Sequence, residues 1–368
     1  QAPHTASELP SERRARGRAA RKTHPRADLG AVPALNAPGR DPIGWLEASN
    51  RHRVPELLAL RHGRMSQSPF AFYRGAASLM AHDLAGLPHS GQSTQLCGDA
   101  HLSNFGFFAS PERSLLFDIN DFDETLPGPF DWDLRRLAAS FAIAARSIGL
   151  KDRDGADAVD MLVDAYRDRL RRFARMDTLE SWSYRLTPET LIALGDDDSA
   201  ELAVIRKARK STARVFAADA VERLPAGDDG RPERLNILDR PPFVYHDAQA
   251  TTRELDRLRH HLEDFILQYA ASLPYERRTL FARYALHDVA VMTPGVGSVG
   301  RRCFLLLFVA DGQHPLFLQV KEAGDSVLEP HLGRSEYGHG GQRIVLGQKL
   351  MQAASDIFLG WAGTAEFG

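Results

Sequence analysis

The chain is short of cysteine, of lysine, of net charge and of long apolar runs. Cys97 and Cys303 are its only cysteines in 368 residues. That excludes a disulfide scaffold, their separation gives no zinc-type spacing, and a reducing, cytoplasmic setting is the expectation. The 46 basic and 48 acidic residues leave a net charge of −2. No global field favours nucleic acid or a membrane surface, and neither is expected as a partner. The longest apolar runs, such as Cys303–Ala310, fall far short of the roughly 18 residues a membrane span needs. The N-terminus has no apolar signal core. The first residue is Gln1 rather than Met, so the natural start is expected upstream. Lysine is confined to positions 22, 151, 207, 210, 321 and 349, against forty arginines. Generic positive charge is therefore carried by arginine, and a lysine set between apolar residues needs a reason.

What is present is the composition of a globular chain: 43% apolar and 26% charged residues. At about 150 residues per domain the length points to two domains, or two lobes and an arm. Residues 1–40 hold eight basic and three acidic side chains among five prolines. This reads as a mobile basic arm with a helical turn at 10–22, more simply a solvated tail than a binding arm. Asp41-Pro42 then opens a helix by N-cap chemistry. Apolar spacing predicts a helix over 70–86, and Arg74 within it is a weaker candidate for substrate or phosphate contact. Short strands are predicted at 94–97 and 114–119. Helices follow at 133–148, 153–175, 199–222 (capped by Gly195-Asp-Asp-Asp) and 250–273, with a loop at 225–242. From there the texture changes to strands at 286–294, 301–310 and 315–321, the last two joined by an Asp311-Gly312 hairpin turn. A helix at 341–356 and a strand start at 357–361 close the chain. The expected organisation is an arm (1–40), a helical catalytic lobe (41–274) and a smaller β-rich nucleotide lobe (275–368).

Two constellations carry chemistry. In the first, Gly98-Asp99-Ala-His101-Leu-Ser-Asn104 puts an acid, an imidazole and an amide within six residues. The strand-like Leu115–Ile119 then leads into Asn120-Asp121-Phe-Asp123-Glu124. If the two flanking strands pair as a hairpin, these turns converge. Several carboxylates at one spot repel, and a divalent cation is the usual remedy. Carboxylate and amide oxygens are hard ligands that suit Mg²⁺ or Mn²⁺, and a Mg²⁺ with few protein ligands usually brings a phosphate. Each residue alone reads as a polar turn; the combination is much rarer. Asp133, in Asp131-Trp-Asp133-Leu, reads as a helix N-cap.

In the second, Gly295-Val-Gly297-Ser298-Val-Gly300 lies between two strands. A dinucleotide fold needs a helix after such a loop, and a Walker loop needs Gly-Lys-Ser/Thr. Neither follows, so the loop is the tip of a hairpin. A glycine-rich hairpin over phosphates wants a lysine on the next strand, and Val320-Lys321 supplies it in a chain that otherwise uses arginine. The bland alternative is an edge-strand lysine reaching for water.

Gly98–Asn104, Asn120–Asp123 and Asp131-Trp-Asp133-Leu-Arg-Arg-Leu137 resemble the catalytic segments of aminoglycoside phosphotransferases and choline-kinase-like enzymes. Almost the whole chain further resembles a bacterial family defined only as a domain of unknown function. It shares with that family Ser68-Pro-Phe-Ala-Phe-Tyr-Arg-Gly75, Cys97–Gly106 and Gln352-Ala-Ala-Ser-Asp-Ile-Phe358. In kinases the glycine loop precedes the catalytic segment; here the order is reversed. The resemblance therefore implies an α+β, protein-kinase-like two-lobe fold in circularly permuted order. It implies an ATP- and Mg²⁺-dependent phosphotransferase acting on a hydroxyl of a small molecule or protein. Asp99 would take the catalytic role with His101 bracing the loop. Asn104, Asp121 and Asp123 would hold the metal, and Gly295, Gly297, Ser298, Gly300 and Lys321 the nucleotide. Asp133 and Glu329 would be supports, the latter for Lys321. Three other readings stay open: a pseudokinase-like nucleotide-binding module, AMP transfer on the same fold, and a metal-dependent phosphoesterase that uses no ATP.

Overall fold

The computed structural model describes residues 8–34, 38–193, 220–224, 234–246, 252–293 and 299–363, with side chains of 252–261 excepted. Helix α1 (Pro10–Thr23) stands on local signals alone. It has Pro at its start, a Glu12 carboxylate accepting from Leu9 N at 2.7 Å, basic residues in its last turn and no buried residue. The arm then meets the body where Arg40 clasps Asp83 through two bonds of 2.8 and 2.7 Å. Helix α2 (Pro42–Asn50) begins as expected, with the Asp41 carboxylate accepting from Gly44 N.

The helix expected at 70–86 is two helices. After α3 (Leu58–Met65), α4 (Pro69–Gly75) is capped by Ser68 and α5 (Ala77–Ala85) starts afresh. The cause is a carbonyl diverted from the helix ladder: Gly75 O accepts from Arg61 Nη2 at 2.7 Å. Gly75 itself presses on Met65, whose sulfur would lie 2.7 Å from any added Cβ.

Strand pairing also differs from the expected hairpin. Strand β1 (Ser93–Leu96) does not meet Leu115–Ile119. It pairs antiparallel with β4 (Leu126–Pro129), while β2 (Phe105–Ala109) pairs with β3 (Leu115–Ile119). Burial explains the choice. Leu96 and Leu126 sit opposite each other, and both enter a core with Ala81, Leu84, Trp132 and Leu328. Helix α6 (Asp131–Ser147) starts two residues before the expected 133, so Asp133 lies in its first turn and is not its cap. Helix α7 (Asp152–Phe173) packs closely on it, Gly155 facing Ala145. Two short helices, α8 (Thr178–Ser183) and α9 (Pro188–Ile192), follow.

The second half is built on a four-stranded antiparallel sheet. Its strands are β7 (Val244–Tyr245), β8 (Ala285–Met292), β9 (Cys303–Ala310) and β10 (His314–Lys321), in the order β10-β9-β8-β7 across the sheet. The unbroken apolar run of β9 is what a strand covered on both faces requires. Leu305, Leu307 and Val309 bury on one side with Leu235 and Ile237. Leu306 and Phe308 bury on the other with Tyr269, Leu273, Phe281 and Phe358. Asp311 and Gly312, at φ 51° and 67°, make the expected hairpin turn.

Residues 221–224 and 234–237 correct two expectations. They are strands β5 (Val221–Leu224) and β6 (Arg234–Ile237), paired with each other, and not the end of a helix and part of a loop. The alternation of Leu235 and Ile237 sends both into the β9 core. Residues 199–219 of the expected helix and its acidic cap lie outside the described residues. Helices α10 (Thr252–Ser272) and α11 (Tyr275–Phe281) cover the other face. Thus Leu235, Ile237, Tyr269 and Leu273, all before residue 275, share cores with strands β8 and β9 that follow it. A short α12 (Glu329–Leu332) precedes α13 (Gly340–Met351). Helix α13 stops short of the expected 356, where Gln352 turns its amide to Ile119 O at 2.6 Å. No strand forms at 357–361; Phe358 enters the core instead, and its carbonyl accepts from the Tyr269 hydroxyl.

The architecture is therefore mixed α+β with small antiparallel sheets. No described helix is long and apolar enough to cross a membrane.

Candidate functional site

The loop carrying Asp99 is held from all sides. Gly98 has φ +82°, and a Cβ there would strike the Glu124 carbonyl. Asp133 turns back from α6 to accept from Cys97 N at 2.8 Å and Gly98 N at 3.0 Å. Burial pushes that carboxyl up to about 6. Asn104 Nδ2 donates to Asp99 O at 2.7 Å, and Leu102 N donates to Ser140 Oγ at 3.2 Å. His101 is buried, with Nε2 3.9 Å from Asp99 Oδ2 and no partner for Nδ1. Burial drives it down to about 4, so it is neutral at physiological pH.

Asp99 is therefore fixed in place. Its Oδ1 takes both Nε and Nη2 of Arg136 at 2.5 Å. Arg136 is itself buried, lies 4.5 Å over the Tyr73 ring and donates to Tyr73 O at 3.1 Å.

The second turn and the lysine strand meet here. Lys321 Nζ, at the end of β10, lies 3.8 Å from Asp121 Oδ1 and 3.8 Å from Asp123 Oδ2. Burial alone would lower the ammonium; Asp123 and Asp121 outweigh it and hold Lys321 above its ordinary value. Burial and the neighbouring Asp123 push Asp121 up to about 7. Next to them, Arg301 reaches Glu124 Oε1 at 3.2 Å and Asp123 Oδ2 at 3.9 Å. Glu124 also accepts from Val327 N at 2.7 Å, and its backbone carbonyl accepts from Ser326 Oγ at 2.8 Å. Arg343 of α13 donates to the carbonyls of Asp123, Thr125 and Gly324 at 2.9, 2.7 and 2.9 Å.

Asp99, Asp121, Asp123 and Glu124 line one cleft with Arg53, Arg61, Arg74 and Arg301. Its free space is about 40 Å³, enough for about three waters. Asn104 ties the two turns together: its side chain donates to Asp99 O, and its backbone carbonyl accepts from Asn120 N at 2.8 Å. Gly295, Gly297 and Ser298 lie outside the described residues. Gly300 ends that loop at φ +91°, backed by Arg53 side-chain carbons 3.0–3.3 Å from where its Cβ would be. Its carbonyl accepts from Val54 N at 2.7 Å, and Arg53 Nη1 donates to Val299 O at 2.6 Å. Glu329 does not reach Lys321; it faces Arg343 Nε at 3.9 Å and accepts from Ser326 N at 3.4 Å.

Sequence reasoning missed Arg136, Arg301, Glu124 and Arg53. One signal was available: Arg136 is three residues beyond Asp133, hence on the same helix face. Glu124 and Arg301 directly adjoin the two motifs and were passed over.

The fold is α+β, and beside its cleft two aspartates face a strand-borne lysine. The chain belongs to a bacterial family described as uncharacterised proteins conserved in bacteria (DUF2252), whose model matches residues 53–367. No curated protein and no solved structure matches it.

Proposed function

We propose that the cleft is the phosphate and metal site of an ATP- and Mg²⁺-dependent phosphotransferase, on a kinase-like fold in circularly permuted order. One observation carries the reading: Lys321 and the Asp121–Asp123 turn, from opposite halves of the chain, meet at 3.8 Å. A structural ion pair alone does not require two aspartates beside the Asp99 loop.

The donor set fits magnesium. Among the described residues no group of three acidic, His or Cys side chains forms a closed metal cage. Two carboxylates that share one cation suit an ion that keeps water or phosphate as its other ligands. Asp121 and Asp123, with Asn104, would hold it, and it would neutralise charge on the phosphates. Lys321 and the Gly295–Gly300 backbone would hold those phosphates. Asp99 keeps Oδ2 for the proton of an acceptor hydroxyl while Arg136 fixes Oδ1. His101, neutral and buried, braces the loop. The protein's share of such chemistry is positioning and charge stabilisation.

The test is thermal unfolding with and without ATP and Mg²⁺, on wild type, Lys321→Ala and Asp121→Ala. A ligand at about 100 times its Kd adds ~2.7 kcal/mol, a midpoint shift of several degrees. The expected result is a Mg²⁺-dependent shift in wild type, reduced in both variants, with Asp99→Ala keeping the shift and losing transfer. No shift in folded wild type refutes the reading. A second reading, nucleotide binding without transfer, is favoured by the placement of Glu329 on Arg343 rather than on Lys321. Label from the γ- or α-phosphate of ATP appearing in an acceptor decides among phosphoryl transfer, AMP transfer and neither.

A further inference from the structure

Three segments with no shared motif bring guanidinium groups to one wall of the cleft. Arg53 follows α2, Arg74 lies in the last turn of α4 and Arg301 precedes β9, and the buried Arg61 of α3 lines the cleft with them. Like charges repel, and burial strips away the water that would screen them. Arg53 registers this: burial first, then Arg61 and Arg301, push it down to about 9. Its bonds to the carbonyls of Val299 (2.6 Å) and Ser49 (3.3 Å) bring no counter-charge. Arg301 leans on Glu124 and Asp123, yet its Nη1 makes no hydrogen bond. The Arg74 Nε is buried and has no hydrogen-bond partner. Just after Arg74 the nine-residue α5 opens without a capping side chain, and Ala77 and Ser78 at its start line the same cleft, as does Gly75 at the end of α4. An uncapped helix start beside an unpartnered guanidinium is built to receive an oxyanion. Several guanidinium groups lining one cleft suit the oxygens of a phosphate dianion.

We propose that this wall is a phosphate subsite that recognises a phosphomonoester group on the acceptor, so that the acceptor is a hydroxyl compound already carrying phosphate. Assigning the phosphate to the acceptor rests on the phosphotransferase reading; the subsite itself does not. Asp99 lines the same cleft, so a phosphate seated on the wall presents a neighbouring hydroxyl to it. The phosphates of the nucleotide belong with Lys321 and the glycine loop.

The test is calorimetric titration of inorganic phosphate into the metal-free, nucleotide-free protein at low salt. Wild type binds saturably, and Arg74→Gln weakens binding at least tenfold. If that variant does not fold, Arg74→Lys, which keeps the charge and loses the fork, weakens binding at least threefold. No saturable binding to wild type, or equal binding by the folded variant, overturns the subsite. The titration is repeated with a saturating non-hydrolysable ATP analogue and Mg²⁺. Retained phosphate binding supports the acceptor assignment; its loss shows that the wall holds the nucleotide's own phosphates and overturns that assignment. If ATP and Mg²⁺ give no thermal shift while phosphate still binds, the phosphotransferase reading fails, and with it the acceptor role, but the subsite stands.

Discussion

Replacing Arg136 by Met removes the group on which Asp99 rests while keeping much of the buried stem. The Arg136 side chain is 3% exposed and that of Asp99 19%, so the pair belongs with buried ion pairs. Breaking a buried pair from one side costs about 3–5 kcal/mol, because a desolvated charge is left alone. The lost contact with the Tyr73 ring adds about 0.5–2 kcal/mol. At about 2–4 °C per kcal/mol for a body of this order of size, the unfolding midpoint falls by roughly 7–28 °C. Asp99→Asn removes the opposing charge. In the double variant no charge is orphaned, so the two effects do not add, and the coupling reaches the upper part of the roughly 0.5–3 kcal/mol range for contacting residues. Scanning calorimetry on the four proteins at neutral pH measures this cycle. Coupling within about 0.5 kcal/mol of zero would show that Arg136 does not hold Asp99, and the positioning argument would fall.

Two further outcomes follow from the same loop. Gly98→Ala forces a side chain into φ +82° and against the Glu124 carbonyl; a loss of about 2 kcal/mol or more is expected in denaturant unfolding, and a neutral effect would contradict the geometry. Asp133 is a raised acid, with its folded value about 6 against an ordinary 3.8. The folded state holds the proton more tightly, so the stability it contributes is full below about 4 and is lost as pH rises through 6. The change is of order 3 kcal/mol; Asp133→Asn flattens that part of the stability–pH curve, and an unchanged slope would count against it.

Much of the fold was legible because periodicity and punctuation were strong. The β9 run, the Asp311-Gly312 turn and the Asp41 cap each have one local cause. Pairing was not legible: β4 reads Leu-Pro-Gly-Pro, which by composition is a turn, and only the shared burial of Leu96 and Leu126 makes it a strand. The break between α4 and α5 was equally hidden, since it depends on Arg61 capturing a carbonyl. In the site, Lys321 stood out because lysine is scarce. Arg53, Arg136 and Arg301 did not, because among forty arginines no single one is conspicuous, and their roles come from long-range contacts.

The meeting of Lys321 with Asp121 and Asp123 also sets an order of events during translation. A ribosome adding about 5–20 residues per second makes the acids roughly 10–40 s before their lysine. Arg343 and Gln352, which grip the carbonyls of Asp123, Thr125 and Ile119, come later still. Throughout that interval the nascent chain carries acids whose cation has not been synthesised. They stay hydrated until then, and the cleft cannot close before residue 321 has been made.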